Sequence, residues 1–475
     1  MTEAGSPMPR NPSAATFPDG AILVEAPLHV RMRVDPVAVS VVRRLKDAGL
    51  VACLAGGCVR DLLRQVTPKD YDIATNAAPD RILGLFPGAV AIGKSFGVVQ
   101  VRAGDAAFEV ATFRIDHGYA DGRRPTGVTF SDARHDAERR DFTVNALFYD
   151  PVSQTIADYV GGLRDLDARL IRTVGDPATR FREDRLRLMR AVRFKTTLQF
   201  ALDPTTAEAV RQQAASLTDI AVERIREEFL RILTESALPG DAVRLLDDLG
   251  LLAVFLPEMT LLKSQTQPPD LHPEGDVFTH TVAALNGMVR PDVRLALAVL
   301  LHDIGKPAVA KTIEGRIRFH YHAEKGADMA RAILERWRLP GDVIDDVAAM
   351  IRNHSRWIHT QEMRASTLRR LVGAPTFSLE LELHRLDRMA SSRDLTVYHF
   401  LDDVRKRFES EPALPAPWVD GHDLMALGVA EGPEVGRWRR EAYDHQLEGR
   451  FDSRDALLDW LRTAVDRKDT PEQTE

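Results

Sequence analysis

The hydrophobic period of this chain changes once along its length, and that change limits what it can fold into. From Val34 to Thr155, short helical patterns (PVAVSVVRRLKDAG, PDRILGLF) are mixed with β-rich runs (AVAIGKSFGVVQV, FEVATFR, VNALFYD). From about Pro177 the apolar residues recur at helical spacing, as in EDRLRLMRAVRF, AVERIREEFLRILTE and DVRLALAVLLHDIG, with Gly and Pro at the breaks. The pattern predicts an α+β unit followed by a mostly α-helical remainder. At 475 residues, 44% of them hydrophobic, the chain can bury several cores, roughly three at about 150 residues per domain. We place a flexible leader at 1–30, an α+β head at 31–175, a helical segment at 176–263, a second helical domain at 264–410 after the Pro-rich SQTQPPDLHPEGD, and a helical tail at 411–475.

Cys53 and Cys58 are the only cysteines and lack a CxxC spacing, which fits small core residues in a reducing compartment. The N-terminus lacks an apolar h-region and no run of about 18 apolar residues occurs, so a cytoplasmic chain is expected, with no membrane as partner. A net charge of −7 argues against a protein that coats nucleic acid indiscriminately, so basic surfaces must be sought locally.

The stretch LAGGCVRDLLRQVTPKDYDIAT, Leu54 to Thr75, concentrates chemistry. On a strand Asp70 and Asp72 point to one side while Tyr71 and Ile73 face a core, and two carboxylates on one face can hold Mg²⁺. Glu109 in FEVATFR, on a neighbouring strand, is the candidate for a third. The Gly56-Gly57 turn lets backbone N–H groups approach an anion, and the following helix offers its positive end and Arg60. The arrangement suits a triphosphate.

These residues, with RRDFTVNAL at Arg139–Leu147 and REDRLRLMRAVRF at Arg182–Phe194, resemble the bacterial class of CCA-adding tRNA nucleotidyltransferases and poly(A) polymerases. The resemblance implies a polymerase-β-like catalytic head with helical neck, body and tail. It implies that Asp70 and Asp72 ligate Mg²⁺, and that Arg140, Asp141 and Asn145 contact the nucleotide. Glu223 and Arg224 in AVERIREEF match the helix that braces the base-reading segment, with Glu183 also in support. Its partners would be tRNA, CTP and ATP, not DNA.

The base-reading segment has its own physical reading. On one helix Asp184 and Arg187, at i and i+3, reach the same face. An acceptor beside a donor fits the edge shared by cytosine (N4–H₂, N3) and adenine (N6–H₂, N1), whereas uracil and guanine present the reverse. Protein would then serve as template. The segment RIDHGYADGRRPTGVTFSDARHDAE, 114–138, reads as a loop and resembles the mobile loop of complete CCA-adding members. GKSFGVVQV at 93–101 is similar to the CCA-adding branch rather than to the basic run of poly(A) polymerases. Of the nine arginines between 164 and 195, seven (Arg164, Arg169, Arg172, Arg180, Arg182, Arg190 and Arg193) are candidates for RNA phosphates.

In the C-terminal half, GDVFTHTV, LLHDIGKP, FHYHAEKGA, RNHSRW and LHRLDRMA supply histidines and aspartates on successive helices. Such a set can converge on a divalent transition metal such as Ni²⁺ or Mn²⁺. The order resembles the HD phosphohydrolase superfamily, which implies His280, His302, Asp303 and Asp387 as core ligands, with His322 and His354 at a second metal position or on phosphate. His320 is the alternative to His322, and Lys306 either contacts phosphate or caps a helix. Two alternatives to CCA addition stay open: a poly(A) polymerase, and an HD phosphohydrolase with a regulatory nucleotidyltransferase-like head.

Overall fold

A computed structural model describes residues 17–18, 20–119, 125–268, 275–289, 292–408 and 412–468. The chain forms two compact units, Met1–Pro257 and Glu258–Glu475. The division falls a few residues before our boundary at 263/264.

The first unit is built on an eight-stranded sheet. In chain order the strands are β1 (Ile22–Glu25), β2 (Ala52–Ala55), β3 (Asp72–Thr75), β4 (Val90–Gly93), β5 (Val98–Ala103), β6 (Ala106–Thr112), then, after a separate hairpin of β7 (Arg114–Tyr119) and β8 (Pro125–Phe130), β9 (Leu147–Asp150) and β10 (Thr155–Asp158). Their spatial order is β1-β10-β9-β2-β3-β6-β5-β4. Only the β3–β6 pairing is parallel, with Asp72 opposite Glu109. The four residues of β2, ACLA, are all buried because both sheet faces are covered: Leu54 packs into one core cluster, Cys53 and Ala55 into the other. Both cysteines are buried, and burial pushes the Cys58 thiol up to about 12, so it is inert.

Two sequence readings need correction here. The leader does not extend to residue 30, because β1 pairs antiparallel with β10 along Ile22–Glu25. With Ile22 and Leu23 exposed, this strand carries no amphipathic pattern, so only its backbone pairing reveals it. Most of the leader, residues 1–16 and 19, lies outside the described residues. The segment 114–138 is not one loop either: β7 and β8 pair with Ile115 opposite Thr129, and Ala133–Glu138 is helical. Residues 120–124 within it lie outside the described residues.

The rest of the first unit is helical. Asp176 caps the Pro177–Glu183 helix by accepting from Thr179 N–H, with Pro177 in the first turn. That helix stops at Asp184, whose backbone is extended, and a new one runs over Arg187–Leu198. The Val222–Glu235 helix packs Ile225, Phe229, Ile232 and Leu233 inward.

In the second unit the helix Val293–Leu301 is buried at every position from Leu295 onward, so it runs through a helical core and carries His302 to its centre. The helices Val277–Asn286, His322–Arg336, Gly341–Asn353 and Phe377–Ala390 complete that bundle. The tail has its own small core around Val419, Leu424, Trp438, Leu457 and Leu461. Among the described residues no helix is long and apolar enough to cross a membrane.

Gly162 opens a short helix whose backbone lies against Thr143; an added Cβ would sit 2.3 Å from the Thr143 carbonyl oxygen and 3.0 Å from Leu147 Cδ2. Gly162→Ala is therefore expected to cost about 1–3 kcal/mol, read as a lower urea midpoint at unchanged slope.

Candidate functional site

The cradle starts where β2 ends. Gly56 has φ +78°, and its N–H donates to Leu147 O at 3.0 Å. A Cβ there would lie 2.7 Å from Arg140 Nη1, so glycine is required by both backbone conformation and space. Arg140 in turn donates to Asn145 O at 3.0 Å and to Asp136 Oδ2 at 3.0 Å. Arg60, buried, donates to Asn145 Oδ1 at 2.5 Å, and Asn145 Nδ2 donates to Asp141 Oδ1 at 3.1 Å. Burial pushes the Asp141 carboxyl up, but Arg190 and then Arg187 outweigh it and hold it well below the usual carboxylate range.

One cavity of about 510 Å³ is lined by Gly56, Gly57, Arg60, Asp72, Glu109, Arg140, Asp141, Asn145, Asp184 and Arg187. Eight arginines and four carboxylates line it, a balance that suits a polyphosphate. Sequence reading missed Arg114, Arg139, Arg231 and Phe194 as lining residues. It also assigned Arg190 and Arg193 to RNA, and the structure turns both inward. Arg190 meets Asp141 Oδ2 at 2.5 Å, and Arg193, 4% exposed, meets Glu228 Oε2 at 2.5 Å. The signal was present, since Arg187, Arg190 and Arg193 recur every three residues on one helix.

The carboxylates sit where the parallel register puts them. Asp72 opens β3 directly opposite Glu109, and both side chains line the cavity. Asp70 departs from the reading: it lies before the strand, exposed, and not on the cavity lining. Burial, then the charge of Asp70, raises Asp72 to about 6, with Arg140 opposing and Glu109 adding. A carboxyl such as Asp72, buried beside other carboxylates until it resists ionisation, fits Mg²⁺, whose charge would reverse that resistance. Among the described residues the donor sets that converge within 4.8 Å do not include these three.

Asp184 and Arg187 are not on one helix face as read; they flank the break between two helices. The break itself brings both to the cavity. Asp184 Oδ1 accepts from Leu186 N–H at 3.1 Å, which helps start the second helix, while Arg224 reaches both carboxylate oxygens at 3.3–3.4 Å. Arg187 donates to Glu183 Oε2 at 2.8 Å, to Arg180 O at 3.1 Å and to Arg139 O at 2.9 Å. Three of its five N–H donors are so committed, and the guanidinium is fixed in plane. Glu223 adjoins Arg224 at the start of its helix, off the cavity lining.

In the second unit the expected ligands converge in two sets: His280, His302 and Asp387, and Asp303, His322 and His354, each within 4.8 Å. This corrects the grouping of Asp303 with the first set alone. Asp303 Oδ2 lies 3.2 Å from His302 Nε2, while its Oδ1 lies 3.7 Å from His322 Nε2 and 3.9 Å from His354 Nε2, so it spans both. His302, His322 and His354 each set Nδ1 against a backbone carbonyl, of Val299, Phe319 and Ile351, at 2.6–2.9 Å. A carbonyl only accepts, so Nδ1 carries the proton and Nε2 is a bare lone pair in the neutral ring. Burial lowers His354 to about 3 and lowers His322 as well, which keeps both neutral. Their two Nε2 atoms nevertheless face each other at 3.1 Å, an arrangement that a cation between lone pairs reconciles. Nitrogen and oxygen donors of this kind fit a divalent transition metal. His320 is exposed and outside both donor sets, whereas His322 belongs to one of them, and Lys306 places its ammonium 2.6 Å from Asp303 Oδ2.

Comparison with known proteins places three family descriptions on the chain: a poly(A) polymerase head domain over residues 52–172, a probable RNA and SrmB-binding site of polymerase A over 199–262, and an HD domain over 277–396. The A-adding tRNA nucleotidyltransferase of Deinococcus radiodurans is 36% identical over 407 residues, covering 81% of this chain and 89% of that protein. The CCA-adding enzyme of Bacillus subtilis is 44% identical over 409 residues, covering 85% and 90%. Among solved structures, the Bacillus stearothermophilus CCA-adding enzyme in complex with CTP aligns with a TM-score of 0.69 at 28% identity, over 92% of this chain and 99% of that one.

The inward arginines make a stability prediction. Glu228→Ala strands Arg193 without its 2.5 Å partner and removes a 3.7 Å contact to Arg190. Losing one member of a buried pair is expected to cost about 3–5 kcal/mol in urea unfolding, far more than the same change at exposed Glu227.

Proposed function

The chain belongs to the family of bacterial CCA-adding tRNA nucleotidyltransferases and poly(A) polymerases, and on that premise we propose that it rebuilds the CCA end of tRNA from CTP and ATP without a nucleic-acid template. One observation carries the reading: a single cavity holds an acceptor and a donor for a base edge, an arginine-rich lining for phosphates, and paired carboxylates beside them. Asp184, steadied by Arg224, accepts from the exocyclic amino group of cytosine or adenine, and Arg187, steadied by Glu183, donates to the adjacent ring nitrogen. UTP and GTP would leave both side chains facing like groups, a mismatch that buried hydrogen bonding makes costly. The Gly56-Gly57 turn, Arg60 and the Arg140–Asp141–Asn145 group hold the sugar and triphosphate. Mg²⁺, held by Asp70, Asp72 and Glu109, would supply charge neutralisation as the RNA 3′-oxygen bonds to the α-phosphorus and pyrophosphate leaves.

The pair reads cytosine and adenine alike, which favours CCA over A-only addition, and the relatives matched along most of the chain are named for tRNA addition rather than poly(A) synthesis. A site that works on tRNA and free triphosphates belongs in the cytoplasm.

A second reading is independent of the head. The two donor sets support metal-dependent hydrolysis of a phosphoester in the second unit, most simply a 2′,3′-cyclic phosphate or 3′-phosphate on an RNA end, since a terminal transferase needs a free 3′-hydroxyl. His280, His302, Asp303, His322, His354 and Asp387 would hold a divalent transition metal such as Ni²⁺ or Mn²⁺, which supplies water activation when bound.

The first test offers the purified chain tRNA transcripts ending just before CCA, with each nucleoside triphosphate alone and all together, and sequences the 3′ ends. CCA is expected; A alone, or a long A tract, would replace this reading with one of its rivals. Asp72→Ala should lower the rate at least about a hundredfold with the thermal melt unchanged. The second test uses His302→Ala combined with Asp303→Ala, after loading with Ni²⁺, Mn²⁺, Mg²⁺ or Zn²⁺. Ester hydrolysis should vanish while CCA addition to a hydroxyl-ended tRNA stays within about twofold, since the two sites share no residue; no hydrolysis by the unmutated chain with any metal would end the hydrolytic reading.

A further inference from the structure

A cavity of about 200 Å³ lies beside the histidine–aspartate cluster and shares only His354 with the two donor sets. Its wall includes Trp357, His384, Arg388 and Asp394, together with His354 and Ser355. His354, Ser355 and Arg388 also line the larger cavity of about 410 Å³ that contains Asp303, His322 and Asp387, so the two chambers adjoin.

The chemistry of the small chamber is unusual for a packed core. His384 sits one turn before Asp387 on the Phe377–Ala390 helix and is 3% exposed, yet neither ring nitrogen has a hydrogen-bond partner. Trp357, 2% exposed, packs tilted against it at 5.5 Å between ring centres, and its Nε1–H is likewise unpaired. The contrast with the neighbouring ligands is direct: His302, His322 and His354 all anchor Nδ1 on a carbonyl, and His384 anchors nothing. An unpaired buried polar atom is costly, so three of them lining one chamber point to groups that face an occupant. Burial, then the charge of Arg388, keeps the His384 ring neutral, which offers one donor and one acceptor on its two ring nitrogens. With the Trp357 N–H, the wall presents donors and an acceptor to a small polar ring system, next to the place where a phosphate would be cleaved.

We propose that this chamber is the subsite for the nucleoside of the phosphoester hydrolysed at the adjoining cluster, with His384 and Trp357 hydrogen-bonding the nucleoside and Arg388 lying between it and the phosphate. The proposal rests on the hydrolytic reading of the second unit and goes beyond it by naming the residues that would hold the terminal nucleoside of that ester.

The test compares a nucleoside 2′,3′-cyclic phosphate, a nucleoside 3′-monophosphate and p-nitrophenyl phosphate on the metal-loaded full chain. The unmutated protein should favour the nucleotides, and His384→Phe, close in shape, should raise KM for them about tenfold and lower their turnover relative to p-nitrophenyl phosphate by a similar factor. His384→Gln, which keeps a donor and an acceptor, should recover most of the loss. CCA addition and the thermal melt serve as folding controls. Equal losses on all three esters, or an unchanged nucleotide KM, would overturn the subsite and leave a wall satisfied by water. If the unmutated chain cleaves none of them, the hydrolytic reading has failed separately. The subsite is then decided by equilibrium dialysis of a nucleoside 3′-monophosphate: weaker binding by His384→Phe supports it, equal binding removes it.

Discussion

Arginines brought out of water need partners, and the first unit is arranged around that requirement. Asp141 comes from the segment before β9, Arg190 and Arg193 from the Arg187–Leu198 helix, and Glu228 from the Val222–Glu235 helix. Each charge is held by one from another element, so the sheet and the two helices are joined through ion pairs as well as apolar contact. Because breaking any link leaves a buried charge, the links favour one arrangement over near alternatives. The same links keep the cavity's arginines from collapsing onto Asp72 and Glu109.

How much of this could be read in the sequence depends on whether the signal was local. The helical half was legible because its period extends over many turns, and the carboxylate third, Glu109, was legible because β-rich runs must pair. Asp184 and Arg187 were legible as a donor–acceptor pair, but their placement at a helix break was not: EDRLR carries no Pro or Gly, and the break depends on the Asp184 carboxylate bonding forward to Leu186. β1 and the β7–β8 hairpin were hidden for a different reason. Their side chains are largely exposed or polar, and pairing partners far along the chain leave no periodic trace. The role of Asp303 as a shared carboxylate was also beyond sequence, since which oxygen faces which histidine is a matter of three-dimensional placement.

The two units solve the same electrostatic problem in opposite ways. In the head, carboxylates gather close together, and burial with the charge of Asp70 raises Asp72 to about 6. In the second unit a carbonyl holds Nδ1 of His302, His322 and His354, burial keeps His322 and His354 neutral, and Asp303, with Lys306 beside it, and Asp387 carry the negative charge. The first suits a cation that arrives with its substrate, the second a cation that stays.

The hydrogen bond from Arg187 to the carbonyl of Arg139 has an evolutionary consequence. The bond uses the main chain, so it persists whatever side chain occupies position 139. On the function proposed above, a change of side chain at position 139 would alter how the cavity meets phosphate while leaving the Arg187 guanidinium anchored, at the cost of the ion pairs from Arg139 to Asp136 and Asp116. On that reading, base choice and phosphate handling would be open to change by separate mutations.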